Sequence, residues 1–251
     1  MKKCIVYCIA AIIPQISWAA GIQATLQWSQ RVELSTPVSG IVQAVNVEVG
    51  DLVKKGQVLL SLDNTSYQAR VAESQSEISR LSAEAQEDKR DLSRVLELHE
   101  RTVASTTELD QAKLRLVRSQ SNLYEARARL RQNQKSLDDA SIRAPFDAVV
   151  ILRQAEPGLG VSAGLQPQML LTLARSGEMI ARMHLSSPQM DNLKTGQTVT
   201  VMVAGKKHTG RIKSLGLEPI KINEGSVYPV DVVFPSKESF RAGTTALVEL
   251  P

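Results

Sequence analysis

The stretch LDQAKLRLVRSQSNLYEARARLRQNQKSL, residues 109–137, carries the most regular pattern in the sequence. A leucine stands at every seventh position, and a small residue follows each of the first three leucines by three positions. This spacing is typical of the buried seam of a coiled coil, and it predicts a long helix packed against a partner helix. The leucines are Leu109, Leu116, Leu123, Leu130 and Leu137, and the small residues are Ala112, Ser119 and Ala126.

The partner helix is predicted directly upstream. Residues 64–138 contain neither glycine nor proline and are rich in helix-forming residues. A second seven-residue apolar series occupies this region, and it is the weaker one because Ser74 and Asp88 fall on its seam. The series comprises Val71, Ile78, Ala85 and Leu92, with Leu81 and Val95 at intervening positions.

A polar, β-branched stretch, HERTVASTTE at residues 99–108, separates the two series. Within it a serine is followed three residues later by a glutamate, which is the spacing of a capping box that opens a helix. We therefore predict two antiparallel helices, about 66–99 and 106–138, rather than one continuous helix. Counting back from the turn places Leu123 near Ile78 to Leu81 on the partner helix.

Short β-branched runs punctuated by glycine flank the helical region on both sides. Residues 31–63 and 139–174 show the pattern of a small β-sandwich or barrel. Residues 175–251 contain five further candidate strands separated mostly by glycine turns, which predicts a small barrel. These candidate strands are residues 179–185, 198–203, 210–214, 227–234 and 245–250.

The N-terminus, MKKCIVYCIAAIIPQISWAA, has the three-part pattern of a secretory signal peptide. Two lysines precede an apolar run that is shorter than the roughly 20 residues of a membrane-spanning helix. Ser17-Trp18-Ala19 supplies small residues at the positions that a signal peptidase reads, so we predict that residues 1–19 are removed, with an uncleaved anchor as the alternative. Because Cys4 and Cys8 both lie in this segment, the predicted mature chain contains no disulfide and no thiolate site.

Composition and motifs exclude several classes of function. Aromatic residues make up only 4% of the chain, and its net charge of +4 is not concentrated in a dense basic run, so no nucleic-acid partner is predicted. His99, His184 and His208 are isolated in the sequence, and HExxH and phosphate-loop motifs are absent. We therefore predict no catalytic residue, no cofactor site and no metal ligand.

Motifs on both sides of the helical region point to one known arrangement. Gly50-Asp51 and Gly56-Gln57, within residues 39–63, resemble the first half of a biotinyl-lipoyl domain, and Ile142-Arg143-Ala144-Pro145-Phe146-Asp147 resembles the start of its second half. Further along the chain, the segments that carry the resemblance are residues 193–199, 210–212 and 240–243. The order of these segments is similar to that of the periplasmic adaptor subunits of tripartite efflux pumps, which are also called membrane fusion proteins of the HlyD type.

The resemblance implies an elongated, modular fold of the mixed α and β class. A biotinyl-lipoyl β-domain is split into two halves, residues 31–63 and 139–174. An antiparallel coiled-coil α-hairpin, residues 64–138, interrupts it, and a small β-barrel domain, residues 175–251, follows. No further membrane-proximal domain is evident from the sequence, which leaves open how a pump would be contacted.

The resemblance also implies a docking site at the tip of the hairpin. Arg94, Leu98 and Ser105 flank the predicted turn with the spacing that many adaptors carry where they dock on a TolC-type channel. Arg94 can supply forked hydrogen-bond donors, Leu98 can fill a pocket, and Ser105 can cap the second helix or donate across the interface. The structural alternatives are a solvated arginine, a seam leucine and a simple capping serine.

The function implied by the resemblance is that of an adaptor and not of an enzyme. It would bridge an inner-membrane transporter, of the RND rather than the ABC kind, to a TolC-type outer-membrane channel. The protein would form a homo-oligomer, with six copies as the implied number. It would be exported to the periplasm and associate there with the inner membrane.

Other functions remain open as alternatives. Met169, Met179, Met183 and Met190 could make the protein a copper or silver efflux adaptor, because thioethers suit soft metals, although irregular spacing is more typical of core methionines. A free-standing coiled-coil scaffold is the second alternative. A lipoyl or biotin carrier would need a lysine between the two half-domains, where Asp63-Asn64-Thr65-Ser66 stands instead.

Overall fold

The computed structural model describes residues 21–164, 168–222, 225–236 and 240–250, so the predicted signal peptide lies outside the described residues. The described part of the chain divides into two compact units. The barrel unit contains the residues up to Ser29 and those from Gly177 onward, and the sandwich–hairpin unit contains Gln30–Ser176.

The helices and strands alternate in blocks along the chain. In chain order they are β1 (Ile22–Trp28), β2 (Arg31–Leu34), β3 (Gly40–Val45), β4 (Leu52–Val53), β5 (Val58–Leu62), α1 (Thr65–Glu100), α2 (Thr106–Asp139), β6 (Ser141–Arg143), β7 (Ala148–Arg153), β8 (Gly160–Val161), β9 (Leu171–Arg175), β10 (Glu178–Leu185), α3 (Ser187–Met190), β11 (Thr198–Val203), β12 (Lys206–Leu215), β13 (Ile220–Ile222), β14 (Gly225–Pro235) and β15 (Thr245–Glu249).

The hairpin of the sandwich–hairpin unit consists of α1 and α2, which confirms the two predicted helices. Side chains tie the helices together at separate levels. Asn133 Nδ2 donates a hydrogen bond to Ser74 Oγ over 2.8 Å, and Arg115 forms an ion pair with Asp91 nearer the turn. Both pairs fit a single antiparallel register, so the helices stay aligned between these levels.

The predicted seam is the face along which the two helices pack. Every seam residue named for α2 is buried or half-buried, and the small ones are the most buried. The named seam residues of α1 are also buried or half-buried. The buried Ser74 hydroxyl is satisfied because it donates to the Arg70 carbonyl and accepts from Asn133. Leu114, Val117 and Tyr124, which lie outside the seam, are exposed. The seven-residue pattern therefore predicted the buried face correctly.

One detail of the register differs from the prediction. Leu123 lines a surface groove together with Ser82, Ala85 and Gln86, about one helical turn closer to the tip than the predicted position near Ile78 to Leu81. The same register follows from the side-chain pairs between the helices. Asn133 with Ser74 and Arg115 with Asp91 together place position 123 opposite positions 83 and 84.

Leu123→Ala should lower the free energy of unfolding by about 2 kcal/mol. The side chain is half-buried in the seam, so its truncation should cost the lower end of the range for Leu→Ala substitutions. Leu114→Ala is the matched control, because it makes the same chemical change on the exposed face of α2 and should alter stability little. Urea titration followed by circular dichroism measures both variants, and equal losses would contradict the seam assignment.

The β-sandwich of the same unit draws each of its sheets from both sides of the hairpin. Among the described residues, one sheet has the order β2-β9-β7-β4 and the other the order β6-β5-β3-β8. Leu60 and Leu62 from the first half pack in one core with Val150, Leu171 and Leu173 from the second half. The split β-domain predicted from the two motifs is thus present.

The base of the hairpin is fastened to the sandwich. The Leu62 N–H donates to the Ala140 carbonyl over 2.8 Å, so the chain enters and leaves the hairpin at neighbouring positions. Tyr67, in the first turns of α1, packs against the sandwich core, and its hydroxyl donates to the Ser39 carbonyl over 2.6 Å.

The barrel unit is a closed barrel. Within the described ranges its strands follow the order β10-β1-β15-β11-β12-β14, and β14 pairs back with β10, while β13 extends β14 as a hairpin. The five predicted strands are present. The barrel also contains β1, which lies outside the predicted range of residues 175–251 and closes the gap between β10 and β15.

Candidate functional site

The connection between α1 and α2 reverses the chain within a few residues. At the end of α1, the Arg101 N–H donates to the Glu97 carbonyl over 3.3 Å, and the Thr102 N–H donates to the His99 carbonyl over 2.9 Å. Thr102 then adopts φ of +61°, in the left-handed region that β-branched residues rarely occupy. This one residue turns the chain back toward α2.

The start of α2 is a complete capping box at Ser105, as the sequence predicted. Ser105 Oγ accepts from the Glu108 N–H over 3.2 Å, and the Glu108 carboxylate accepts from the Ser105 N–H over 2.7 Å. The Ser105 N–H lowers the pKa of Glu108, and so does the Ser105 hydroxyl, which donates to the same carboxylate over 3.0 Å. The stability that they add is therefore present above the ordinary pKa of a glutamate and is lost as the pH falls through the lowered value.

Ser105→Ala should cost about 1 kcal/mol of folding free energy, the usual loss when a capping hydroxyl is removed. Ser105→Asp is the control, because a carboxylate can still accept from the N–H groups of the first turn of α2. Thermal unfolding followed by circular dichroism compares the two variants. Equal stability of Ser105→Ala and the wild-type protein would show that the Ser105 hydroxyl contributes nothing to the stability of the fold.

Two apolar side chains lie exposed at the tip. Leu98, in the last turn of α1, is 38% exposed, and Val103, in the connection, is 72% exposed. The Leu98 carbonyl accepts from the N–H groups of Val103 and Ala104, at 2.9 and 3.3 Å, so the two apolar residues are tied to each other through the backbone. Val103 was not among the predicted site residues, although it is the isolated apolar residue in the polar stretch HERTVASTTE.

Arg94 lies one helical turn before Leu98 on α1. Its side chain is 63% exposed, and its Nη2 lies 3.8 Å from Asp91 Oδ1 and 4.0 Å from Glu87 Oε1. These distances are too long for hydrogen bonds, so the guanidinium donors remain available to a partner. The structure thus places Leu98 and Ser105 at the tip itself and Arg94 slightly below it.

Three of the four methionines of the metal hypothesis belong to the barrel unit, where Met190 is half-buried against the core. Met179 and Met183 are buried in the core of the barrel, whereas Met169 belongs to the sandwich–hairpin unit, where the Thr172 hydroxyl lies 3.2 Å from its sulfur. Across the described ranges, no cluster of three His, Cys, Asp or Glu residues could hold a metal ion. Neither long helix in this part of the chain combines the length and apolar character that a bilayer crossing requires.

Solved structures share this fold. The membrane fusion protein Spr0693 from Streptococcus pneumoniae R6 superposes with a TM-score of 0.72, at 19% sequence identity, over 92% of this chain and 97% of its own. At that level of identity the likeness concerns the fold alone.

Sequence comparisons extend the likeness to curated relatives. The macrolide export protein MacA of Yersinia pestis is 28% identical over 239 residues, 88% of this chain and 64% of MacA. The pyoverdine export membrane fusion protein PvdR of Pseudomonas putida is 36% identical over 199 residues, 73% of this chain and 51% of PvdR. The chain therefore spans about half to two thirds of the length of these relatives.

Both relatives are named for export, and neither name denotes an enzyme. Residues 30–167, more than half of the chain, match the CzcB-like, barrel-sandwich hybrid domain family. These residues comprise nearly all of the sandwich and the whole hairpin described above. PvdR and Spr0693 are both named membrane fusion proteins, and the chain itself belongs to the CzcB-like, barrel-sandwich hybrid domain family.

Proposed function

We propose that this protein is the adaptor of a tripartite efflux system, in which its hairpin tip docks on a TolC-type outer-membrane channel. The observation that carries the proposal is the tip, where an exposed leucine and an accessible arginine lie beside a tightly capped turn. Leu98 would enter a groove between channel helices, and Arg94 would donate to carboxylates or carbonyls there. Ser105, whose hydroxyl caps α2, would keep the turn compact.

The transporter side of the proposal rests on the family and its relatives. MacA and PvdR are named as export proteins, which supports a role in export for this chain as well. We propose an RND transporter as the inner-membrane partner. Co-purification with an ABC transporter would contradict this proposal and identify the ABC transporter as the partner instead. The sandwich and barrel of neighbouring copies would pack side by side, and six copies would form a ring.

The proposed place of action is the periplasm, in association with the inner membrane. Lys2, Lys3, the short apolar run and Ser17-Trp18-Ala19 support export by a signal peptide. We expect the mature protein to begin at Ala20, which the intact mass of the periplasmic protein would reveal. A mass that retains residues 1–19, in a membrane fraction, would identify an anchor instead.

Cross-linking in living cells tests the docking proposal. A photo-reactive amino acid replaces Arg101, an exposed residue at the tip, in the cells that naturally make the protein. We expect an adduct whose partner is identified by mass spectrometry as a TolC-type channel. The same probe at Gln132, an exposed residue near the base of α2, is the control and should give no channel adduct. The absence of the adduct from the tip would contradict docking by the hairpin end.

A further inference from the structure

His99 is a polar residue at a position where the apolar seam of α1 would continue. The seven-residue series Val71, Ile78, Ala85 and Leu92 reaches His99 at its next step. The imidazole is half-buried, and its Nδ1 lies 2.8 Å from the Ala104 carbonyl oxygen. Because a carbonyl oxygen can only accept, Nδ1 must be the nitrogen that carries the hydrogen in this contact.

The contact between His99 and Ala104 holds the turn between the two helices together. The Ala104 N–H donates to the Leu98 carbonyl and its carbonyl accepts from His99, so consecutive residues at the end of α1 hold both polar groups of one residue. The turn also contains Thr102 in the left-handed region, a conformation that persists only when neighbouring contacts enforce it. The contact between the His99 imidazole and the Ala104 carbonyl is positioned to stabilise this conformation of Thr102.

We infer that His99 is a positioning residue of the tip, which fixes the turn so that Val103 is presented beside Leu98 as a second apolar contact for the channel. This inference rests on the docking function proposed above. Val103 is the more exposed of the two side chains, and a fixed turn avoids the entropy that a mobile one would lose on binding. His99 itself need not touch the partner.

Two substitutions separate the hydrogen bond from the rest of the side chain. The amide of asparagine places its nitrogen near the position of histidine Nδ1, whereas the longer glutamine places it near that of Nε2. His99→Asn should therefore keep the bond to Ala104, and His99→Gln should lose it. Both substitutions place a polar amide side chain at the end of α1, so the melting curve of the protein should stay the same for both.

Hydrogen exchange of the Val103 and Ala104 amides measures the turn without any partner. We expect exchange about tenfold faster in His99→Gln and unchanged exchange in His99→Asn, because loss of the contact to Ala104 lets the turn open locally. Unchanged exchange in His99→Gln would overturn the inference, since the imidazole would then not hold the turn.

The cross-link from position 101 to the channel measures the consequence for docking. We expect its yield to fall about tenfold in His99→Gln, which a 1.4 kcal/mol weakening would produce, and to be retained in His99→Asn. Val103→Ser should lower the yield without changing the exchange of the Ala104 amide. If His99→Gln exchanges fast but gives a normal cross-link yield, the inference that His99 presents Val103 to the channel is wrong. Absence of the adduct from the wild-type protein would instead contradict the docking function, whereas the exchange data would still decide whether His99 holds the turn.

Discussion

Arg94→Asp should abolish export while leaving the melting curve of the protein unchanged. The substitution removes the forked donors and sets a carboxylate against whatever acceptor they met, which at a desolvated interface costs several kcal/mol. The stability of the folded protein should not change, because the Arg94 side chain is 63% exposed and its contacts with Asp91 and Glu87 are 3.8 and 4.0 Å long. Exposed ion pairs of this kind contribute little to stability.

Arg90→Asp is the matched control for this experiment. Arg90 lies one turn further from the tip on the same helix, is equally exposed at 63%, and pairs with the same Glu87. The Arg90→Asp variant should therefore carry the same local charge reversal and still support export. Accumulation of the pump's substrate in cells carrying each variant is measured beside the melting curve. Normal export by Arg94→Asp, or equal loss in both variants, would show that the tip does not use Arg94.

Leu26→Ala should destabilise the barrel unit by about 2–5 kcal/mol, the range for truncation of a fully buried leucine. Leu26 lies in β1 with no exposed surface, and its backbone carbonyl accepts from the Gly243 N–H over 2.8 Å. The strand pairs with β10 on one side and with β15 on the other, so a cavity at this position loosens the closure of the barrel.

Thr25→Ala is the control for Leu26→Ala, because Thr25 belongs to the same strand and faces solvent. It should change stability by no more than about 0.5 kcal/mol. Urea titration with intrinsic fluorescence of Trp28, at the end of the strand, reports on both variants. A Leu26→Ala variant as stable as Thr25→Ala would contradict the assignment of β1 to the closed barrel.

The sequence contained enough information to predict the hairpin but not all of the barrel. A seven-residue repeat sustained from Leu109 to Leu137 specifies a helix, its buried face and the existence of a partner in one pattern. The strand β1 has its own signal, because Ile22, Ala24, Leu26 and Trp28 alternate with polar residues. That signal is short, and its pairing partners β10 and β15 lie about 150 residues or more further along the chain. Nothing local therefore indicated which sheet it would join.

The tip was predictable in part for a related reason. Ser105 and Glu108 form a capping box that depends on residues three apart, so the spacing alone was sufficient. The exposure of Val103 depends instead on the left-handed turn at Thr102 and on the contact between His99 and Ala104. These arise only when the ends of two helices meet, and no spacing in the sequence encodes them.

The way in which the hairpin is attached to the sandwich allows the length of the hairpin to change without a change in the sandwich. β5 and β6, which precede and follow the hairpin, are paired neighbours in one sheet, so the sandwich closes beneath the insertion whatever the insertion's length. Deleting one seven-residue repeat from each helix at matching levels would preserve the seam and the base while shortening the reach by about 10 Å. Evolution or protein engineering can thus adjust the distance that the protein spans in fixed steps, without redesigning the domain that carries the hairpin.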